Sequence, residues 1–534
     1  MVEVLSSRFD AIFPKIESSI NQAAFIAIDT EFTGLNTGPS TKPCLFDTPA
    51  ERYKKLQLSV QQYVICQIGL SAFVKDQEAN SYVAHTFVFY LRPHSFGILN
   101  KRLWWQASSL EFLCHNHFDF NKFAYDGISY LNEEEEMIVK SELTNRSLLM
   151  ALDRDIDESS LQHHCSQVSA WLSTAKQGER LILQKEMKGV SGYILLSEIR
   201  QKFASVWAYV SDDLTLIVEK VSKEKRNELV TSAGSEEDKM LNKLLGFTRV
   251  FRLLKDAKKP LVGHNLLMDL MLMYNQFYKP LPDSYKHFKQ EIHRIFPIIF
   301  DTKHMKQSMR KIFEEKGFYC TGNLLELYQA FTSPKGQFLA LYYPRVTHAI
   351  GFDRYATDTA PHEAGFDAYA AGYVFMRIAH ILAMKNVRIQ AAHPLSWSEH
   401  QGAVEPYKNK INLIRGSLHH LVLDGEDPAF ERPQWLFVEV KSNKALDPME
   451  LAQMMSQHGS VDIQRVSRSG ALIAAGNFTC ARSIMTAFKN HAEYRVVKYN
   501  VFHHSREIKV LLWSAFFISG GVTFYLLFKV CRHS

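Results

Sequence analysis

The chain has 534 residues, 46% of them hydrophobic and 22% charged, with a net charge of +6. That balance excludes a disordered or collagen-like chain, and so mild a charge is no argument for nucleic acid by itself. Seven cysteines, an odd number with no C-x-x-C pair, point to reduced thiols rather than a disulfide framework.

Phe9, Ile12, Phe13 and Ile16 fall on one face of an amphipathic helix, so the N-terminus offers no apolar signal-peptide core. Ala23 to Ile28 is an apolar run that predicts a buried strand, and it ends in Asp29-Thr30-Glu31. Alternation along a strand puts residues two apart on one face, so both carboxylates reach the same point. The other D-x-E, Asp424-Gly425-Glu426, lies in a polar, turn-like stretch before Asp427-Pro428 and lacks that context. Glu133–Glu136, four acids in a row, predicts a solvated helix face. Residues 151–245 have polar, charge-rich ends, Asp153–Gln167 and Lys220–Lys239. They interrupt 1–150 and 246–390, which read as two halves of one domain.

Pro260 to Asn265 predicts a short strand closed by Gly263, followed by a mostly buried helix from Leu266 to Tyr278. That helix contains one acid, Asp269, and an isolated carboxylate there is costly unless paired or bound to a metal. Phe296 to Phe300 is another apolar strand, and Asp301 and Lys303 at its end are placed at the rim of the same site. His362-Glu363-Ala364-Gly365-Phe366-Asp367 opens an alanine- and aromatic-rich helix running to about Met384, with a loop histidine and a first-turn acid facing one cleft.

Residues 395–505 read as a separate α/β unit. Strands are predicted at Trp435–Val440, Val461–Val466, Ala471–Ala475 and Tyr494–Tyr499, with helices at Met449–Gln457 and Ala481–Lys489. This β-α-β-β-α-β order resembles an RNA-recognition motif whose third strand lacks base-stacking aromatics, which sets a packing or dimerising role beside RNA binding as the expectation.

Val510 to Phe528 is a charge-free run of 19 residues. At about 1.5 Å per residue it spans roughly 29 Å, close to the hydrocarbon thickness of a bilayer. Arg506 and Lys509 flank one end, Lys529 and Arg532 the other, with Trp513 and Tyr525 placed as interfacial anchors. As the last apolar segment of the chain it predicts a single-pass tail anchor with the rest of the protein in the cytosol. The sequons at Asn145 and Asn477 would then stay unglycosylated.

Five residues form the candidate centre: Asp29, Glu31, Asp269, His362 and Asp367. Phosphodiester hydrolysis needs an activated water, a stabilised leaving oxygen and a neutralised phosphate; two hard cations about 3.5–4 Å apart, held by carboxylates, supply all three. In this arrangement Asp29 bridges the metals, Glu31 and Asp367 complete the hydrolytic site, Asp269 supports the leaving-group site, and His362 takes the proton from water.

Around these acids the chain resembles the poly(A)-specific ribonuclease family, nucleases of the histidine-containing DEDD type. The likeness runs through Phe32-Thr33-Gly34-Leu35, Gly38-Pro39-Ser40, Phe46 to Tyr53, Val64 to Leu70, Phe118 to Lys122 and Gly127 to Asn132, and with the later motifs covers most of the first 385 residues. It implies an α/β fold with an RNase H-like core and an inserted subdomain, two Mg²⁺ ions per active site, attack on single-stranded RNA from a free 3′ hydroxyl, and release of 5′-mononucleotides. Phe32, Leu35, Leu110 and Phe112 occupy positions expected to grip the terminal nucleotides, with core packing the alternative for Leu110 and Phe112, and Asn265 a position expected to hydrogen-bond RNA; Lys303, at the end of its own strand, is expected to face a phosphate. The Arg-x-x-x-His signature of the family's inserted nucleic-acid-binding module is absent from 151–245, which implies a diverged remnant.

That loss, together with the tail anchor, resembles the membrane-anchored branch that trims piRNA precursors in germ cells, on the cytosolic face of the endoplasmic reticulum or the mitochondrial outer membrane. Poly(A) shortening of mRNA is the alternative substrate. An inactive membrane-tethered RNA-binding scaffold would have no chemical need for convergent carboxylates, and only the resemblance and the cytosolic anchor separate RNA from DNA. A PIWI/Argonaute-family protein or Tudor-type scaffold as length-setting partner, and a homodimer, are implied by the resemblance alone.

Overall fold

The computed structural model describes residues 1–518 except 77, 97–98, 146–157, 185–188, 212–214, 233–235, 316, 319–322, 387–393, 430–431, 443, 506–507, 509 and 512. Packing divides it into two units: Met1–Thr37 with Leu56–Ile411, and Gly38–Lys55 with Asn412–Ser534.

In the first unit, strands β1 (Val2–Val4), β2 (Phe25–Phe32), β3 (Ile65–Lys75) and β4 (Ser81–Tyr90) come first. The inserted residues add β5 (Arg180–Gln184), β6 (Val206–Val210) and β7 (Leu216–Lys220), and the chain returns to the main sheet with β8 (Leu261–Gly263), β9 (Ile299–Asp301) and β10 (Arg345–His348). The main sheet runs β1-β4-β3-β2-β8-β9, with β10 also on β4. Strands β2, β3 and β4 form an antiparallel meander, and β8 and β9 lie parallel to β2. An antiparallel trio extended by two parallel strands is the arrangement that an RNase H-like core requires. Strand β2 sits centrally; its first four residues, Phe25 to Ile28, are apolar and buried, as a strand covered on both faces requires, and Asp29, Thr30 and Glu31 follow them.

The helix Ala364–Asn386 crosses this sheet through small residues. A Cβ on Gly372 would lie 2.1 Å from the Phe73 ring, and Ala368 and Ala371 beside it are fully buried. Phe25 stacks on Phe73 at 4.6 Å and on Trp397 at 5.4 Å, so the helix Trp397–Val404 closes the same core. Offset aromatic pairs of this kind add about 0.5–1.5 kcal/mol beyond the area they bury. The inserted strands form a three-stranded antiparallel sheet, order β5-β7-β6, over a small core of Val168, Leu195, Ile199, Val206 and Val218.

After the short strand β11 (Lys410–Asn412) at the boundary, the second unit holds β12 (His420–Val422), β13 (Leu436–Val440), β14 (Val461–Arg465), β15 (Gly470–Ala475) and β16 (Tyr494–Lys498). The four-stranded sheet is antiparallel in the order β14-β15-β13-β16, and the helices Pro448–Ser456 and Phe478–Ala487 fall between β13 and β14 and between β15 and β16. Asn477, the second sequon asparagine, caps the latter helix by accepting the Cys480 N–H.

The structure departs from expectation in three places. Residues 38–55, expected within the nuclease half 1–150, pack with the C-terminal unit: buried Arg52 donates to Asp47 and to the carbonyls of Ile414 and Arg415. Residues 395–411, expected in the C-terminal domain, pack with the nuclease unit. Glu133–Glu136 is no plain solvated face. Glu133 pairs with Lys279, Glu135 with Lys101 at 2.7 Å, and buried Glu136 with Lys140 and Arg252. The run Val510 to Phe528 lies partly outside the described residues, and among those described no helix is long and apolar enough to cross a membrane.

Candidate active site

Strand β2 presents Asp29 opposite Gly69 and Glu31 opposite Gln67 of β3. Those two partners dock the start of the helix Ala364–Asn386. Gln67 Oε1 accepts the Ala364 N–H at 2.9 Å, while a Cβ on Gly69 would lie 1.9 Å from the Ala364 carbonyl oxygen. The acids of one motif and the residues just before and after Ala364 are thereby brought to one point. A ligating atom from each of Glu31, His362 and Asp367 lies within 4.8 Å of the others.

His362 occupies the left-handed region at φ +63°, a conformation that costs a non-glycine residue on the order of 1 kcal/mol or more and clusters at functional sites. Its N–H donates to Asp367 Oδ2 at 3.3 Å, its Nδ1 lies 3.9 Å from the same oxygen, and its ring meets Phe112 edge-on at 4.9 Å. Asp269, buried on the helix Leu267–Phe277, accepts from Thr30 Oγ1 at 2.6 Å, so the residue between Asp29 and Glu31 orients the third acid.

The electrostatics follow from that crowding. Burial pushes the Asp29 carboxyl well above its ordinary value, and the charges of Asp367, Asp269 and Glu31 push it further. Burial, then Asp367 and Asp269, raises Glu31 in the same direction. Burial lifts Asp269 to about 6 against the opposing Thr30 hydrogen bond, and lifts Asp367 to about 7 against the His362 N–H. Partial burial depresses His362, leaving its imidazole neutral at pH 7. Carboxylates driven toward protonation by burial and, at Asp29 and Glu31, by one another are the complement of a hard multivalent cation, and an oxygen-rich set with one imidazole suits Mg²⁺ or Mn²⁺. The donor set therefore fits a divalent metal.

The remaining predicted residues sort by exposure and partners. Leu35 is 47%, Leu110 38% and Phe112 43% exposed, so these side chains are not core packing; Phe32 is half-buried. Asn265 stands at φ +73° with its N–H on Asp301, and Lys303 follows that acid on the helix Thr302–Ser308. Asp301 itself is corrected. It is fully buried and accepts the backbone N–H groups of Asn265, Leu266, Lys303 and His304, so it ties two chain segments together and offers no rim carboxylate. Thr30, Gln67 and Gly69 escaped the sequence reading as site residues, although a glutamine and a glycine inside an otherwise buried strand were a visible signal.

Comparison with known proteins agrees with this geometry. The CAF1 family ribonuclease profile matches residues 4–375, which contain all five centre residues. The chain is 34% identical to the Bombyx mori pre-piRNA 3′-exonuclease trimmer over 96% of each chain, and 34% identical to the mouse poly(A)-specific ribonuclease PNLDC1 over the same shares. It is 28% identical to Xenopus laevis poly(A)-specific ribonuclease PARN over 93% of this chain and 80% of that one. The solved Schizosaccharomyces pombe Pop2p, in its Mg²⁺- and Mn²⁺-bound form, overlays at a TM-score of 0.31 with 16% identity over 73% of this chain and 95% of that one, a likeness too loose to carry weight. On the family match and the near full-length relatives, the chain belongs to the CAF1 family of ribonucleases.

Proposed function

We propose that this protein is a 3′→5′ exoribonuclease that shortens single-stranded RNA from a free 3′ hydroxyl, releases 5′-mononucleotides, and trims piRNA precursors at a membrane surface in germ cells. The observation that carries the hydrolytic reading is the meeting of Glu31, His362 and Asp367 beside Asp29 and Asp269. Asp29, Glu31, Asp269 and Asp367 would hold two Mg²⁺ ions, which neutralise the scissile phosphate and polarise it toward attack. His362, neutral at physiological pH, accepts the proton of the attacking water on a ring nitrogen. Thr30 fixes the orientation of Asp269 through its short hydrogen bond. Phe32, Leu35, Leu110 and Phe112 seat the terminal bases, which any sequence can offer as flat apolar faces, while Asn265 and Lys303 meet the backbone.

The piRNA reading is supported by the name of the Bombyx mori relative; the poly(A) names of the mouse and Xenopus relatives favour mRNA tails as the second reading. For the membrane, support comes from the described part of the C-terminal segment, where Leu511, Trp513, Phe516, Phe517 and Ile518 are each 60–70% exposed and join no core. We place that anchor on the cytosolic face of the endoplasmic reticulum or the mitochondrial outer membrane. The second unit we assign to packing or dimerisation. Its third strand, Gly470–Ala475, is buried without an aromatic, and the Phe437 ring of β13 is already stacked on His504 at 4.5 Å.

One assay tests the enzymatic reading. Purified protein is offered 3′-hydroxyl RNA, 3′-blocked RNA, DNA and poly(A), each with Mg²⁺ or chelator, and product lengths are followed over time. Stepwise shortening of open-ended RNA with the cation supports it. No shortening of any strand ends it, and shortening of poly(A) alone moves the assignment to the second reading.

A further inference from the structure

Gln106 occupies an unusual position. It precedes the helix Ala107–His115, where a capping side chain would be expected to turn back onto the first helical N–H groups, yet its side chain makes no cap bond. Its Oε1 instead accepts the N–H of Leu35 at 2.9 Å and that of Asn36 at 3.3 Å, across the loop that follows β2. Its own N–H donates to the Thr33 carbonyl at 2.8 Å, and its carbonyl accepts the Leu110 N–H at 2.9 Å. Backbone and side chain of one residue thus join the loop carrying Leu35 to the helix turn carrying Leu110 and, two residues on, Phe112. Tyr63 pins the far side of that loop by donating to the Asn36 carbonyl at 3.2 Å. Phe112 in turn touches the His362 ring.

We propose that Gln106 is a positioning residue that holds the two apolar walls of the terminal-nucleotide seat at a fixed relation, so that the 3′-terminal base enters a preformed slot. The inference rests on the reading of Leu35, Leu110 and Phe112 as those walls. A preformed seat matters because ordering a mobile loop on each turnover would be subtracted from the affinity for RNA. Gln106 touches neither the acids nor the water, so its contribution falls on binding.

The test compares Gln106→Leu, Gln106→Glu and Leu35→Ala in the full chain, measuring kcat, KM and melting temperature on short 3′-hydroxyl RNA with Mg²⁺. Gln106→Leu removes the acceptor for two N–H groups and should raise KM about tenfold, the worth of one or two neutral hydrogen bonds, with kcat within about twofold. Gln106→Glu keeps the acceptor and, at raised ionic strength where its charge is screened, should recover most of the loss. Should Leu35→Ala raise KM while Gln106→Leu does not, the positioning role is overturned and the walls stand. A Gln106→Glu variant as poor as Gln106→Leu at raised salt overturns it as well. If Leu35→Ala itself leaves KM unchanged, the walls are misassigned and the proposal falls with them.

Discussion

Gly69 should be the most sensitive position outside the charged centre. A Cβ there would stand 1.9 Å from the Ala364 carbonyl oxygen, 2.2 Å from its carbon and 2.5 Å from the Gly365 nitrogen, where ordinary contact begins at 3.4 Å. The obstruction is backbone, so no side-chain rotation relieves it, and Gly69→Ala must push the helix start away from β3 by about 1.5 Å. A shift of that size breaks the 2.9 Å bond from Ala364 to Gln67 and carries His362 and Asp367 away from Glu31. Overpacking costs roughly 1–3 kcal/mol of stability, and a displacement near 1 Å at reacting groups costs on the order of 100-fold in rate. We therefore expect Gly69→Ala to remain folded at 25 °C, melt several degrees lower, and trim 3′-hydroxyl RNA at least about 100-fold more slowly per folded molecule. The check is single-turnover shortening of end-labelled RNA, normalised by the amplitude of the thermal transition. Trimming within a few-fold of the parent would show that the close contact between β3 and the helix is not what assembles the centre.

Three further outcomes follow from the same geometry. Asp367 is lifted to about 7 in the folded state from an ordinary carboxylate value, so without a cation the fold binds more protons than the unfolded chain between pH 4 and 7, and its stability falls as pH rises through that window. Asp367→Asn should abolish trimming yet flatten that fall in chelator, and an unchanged slope in melting temperature against pH would refute the burial that raises it. His362→Ala, at a position whose side chain is 44% exposed, should keep its fold and slow turnover by about 10²–10⁴-fold; an unaltered rate across neutral pH removes it as the base. Deleting residues from Val510 onward should leave trimming of naked RNA intact and release the protein from membranes, and a truncated chain that still pellets with vesicles places the attachment elsewhere.

What could be read from the chain alone divides along a physical line. Strands β2, β8 and β9 announce themselves as short apolar runs, and the acids that follow the runs of β2 and β9 stand out because buried charge needs a reason. Yet Asp29 and Asp301 carry the same local signature, an acid ending an apolar run, and have opposite fates. Around Asp301 four backbone N–H groups converge, which fully occupies a carboxylate as a structural knot; around Asp29 the neighbours are other carboxylates, which leaves it needing a cation. Lys303 and His304 are local donors, as at a helix N-cap, but the other deciding partners are distant, Asn265 and Leu266 in one case and Asp269 and Asp367 in the other. Arg52 makes the same point for domain boundaries. Its sequence neighbours lead into the nuclease unit, but its guanidinium is buried against carbonyls some 360 residues away, at Ile414 and Arg415, and a buried charge goes where its acceptors are. Local pattern therefore identifies which groups are too polar for their surroundings, and only the long-range partners determine whether each is satisfied by the chain itself or left open for metal and substrate.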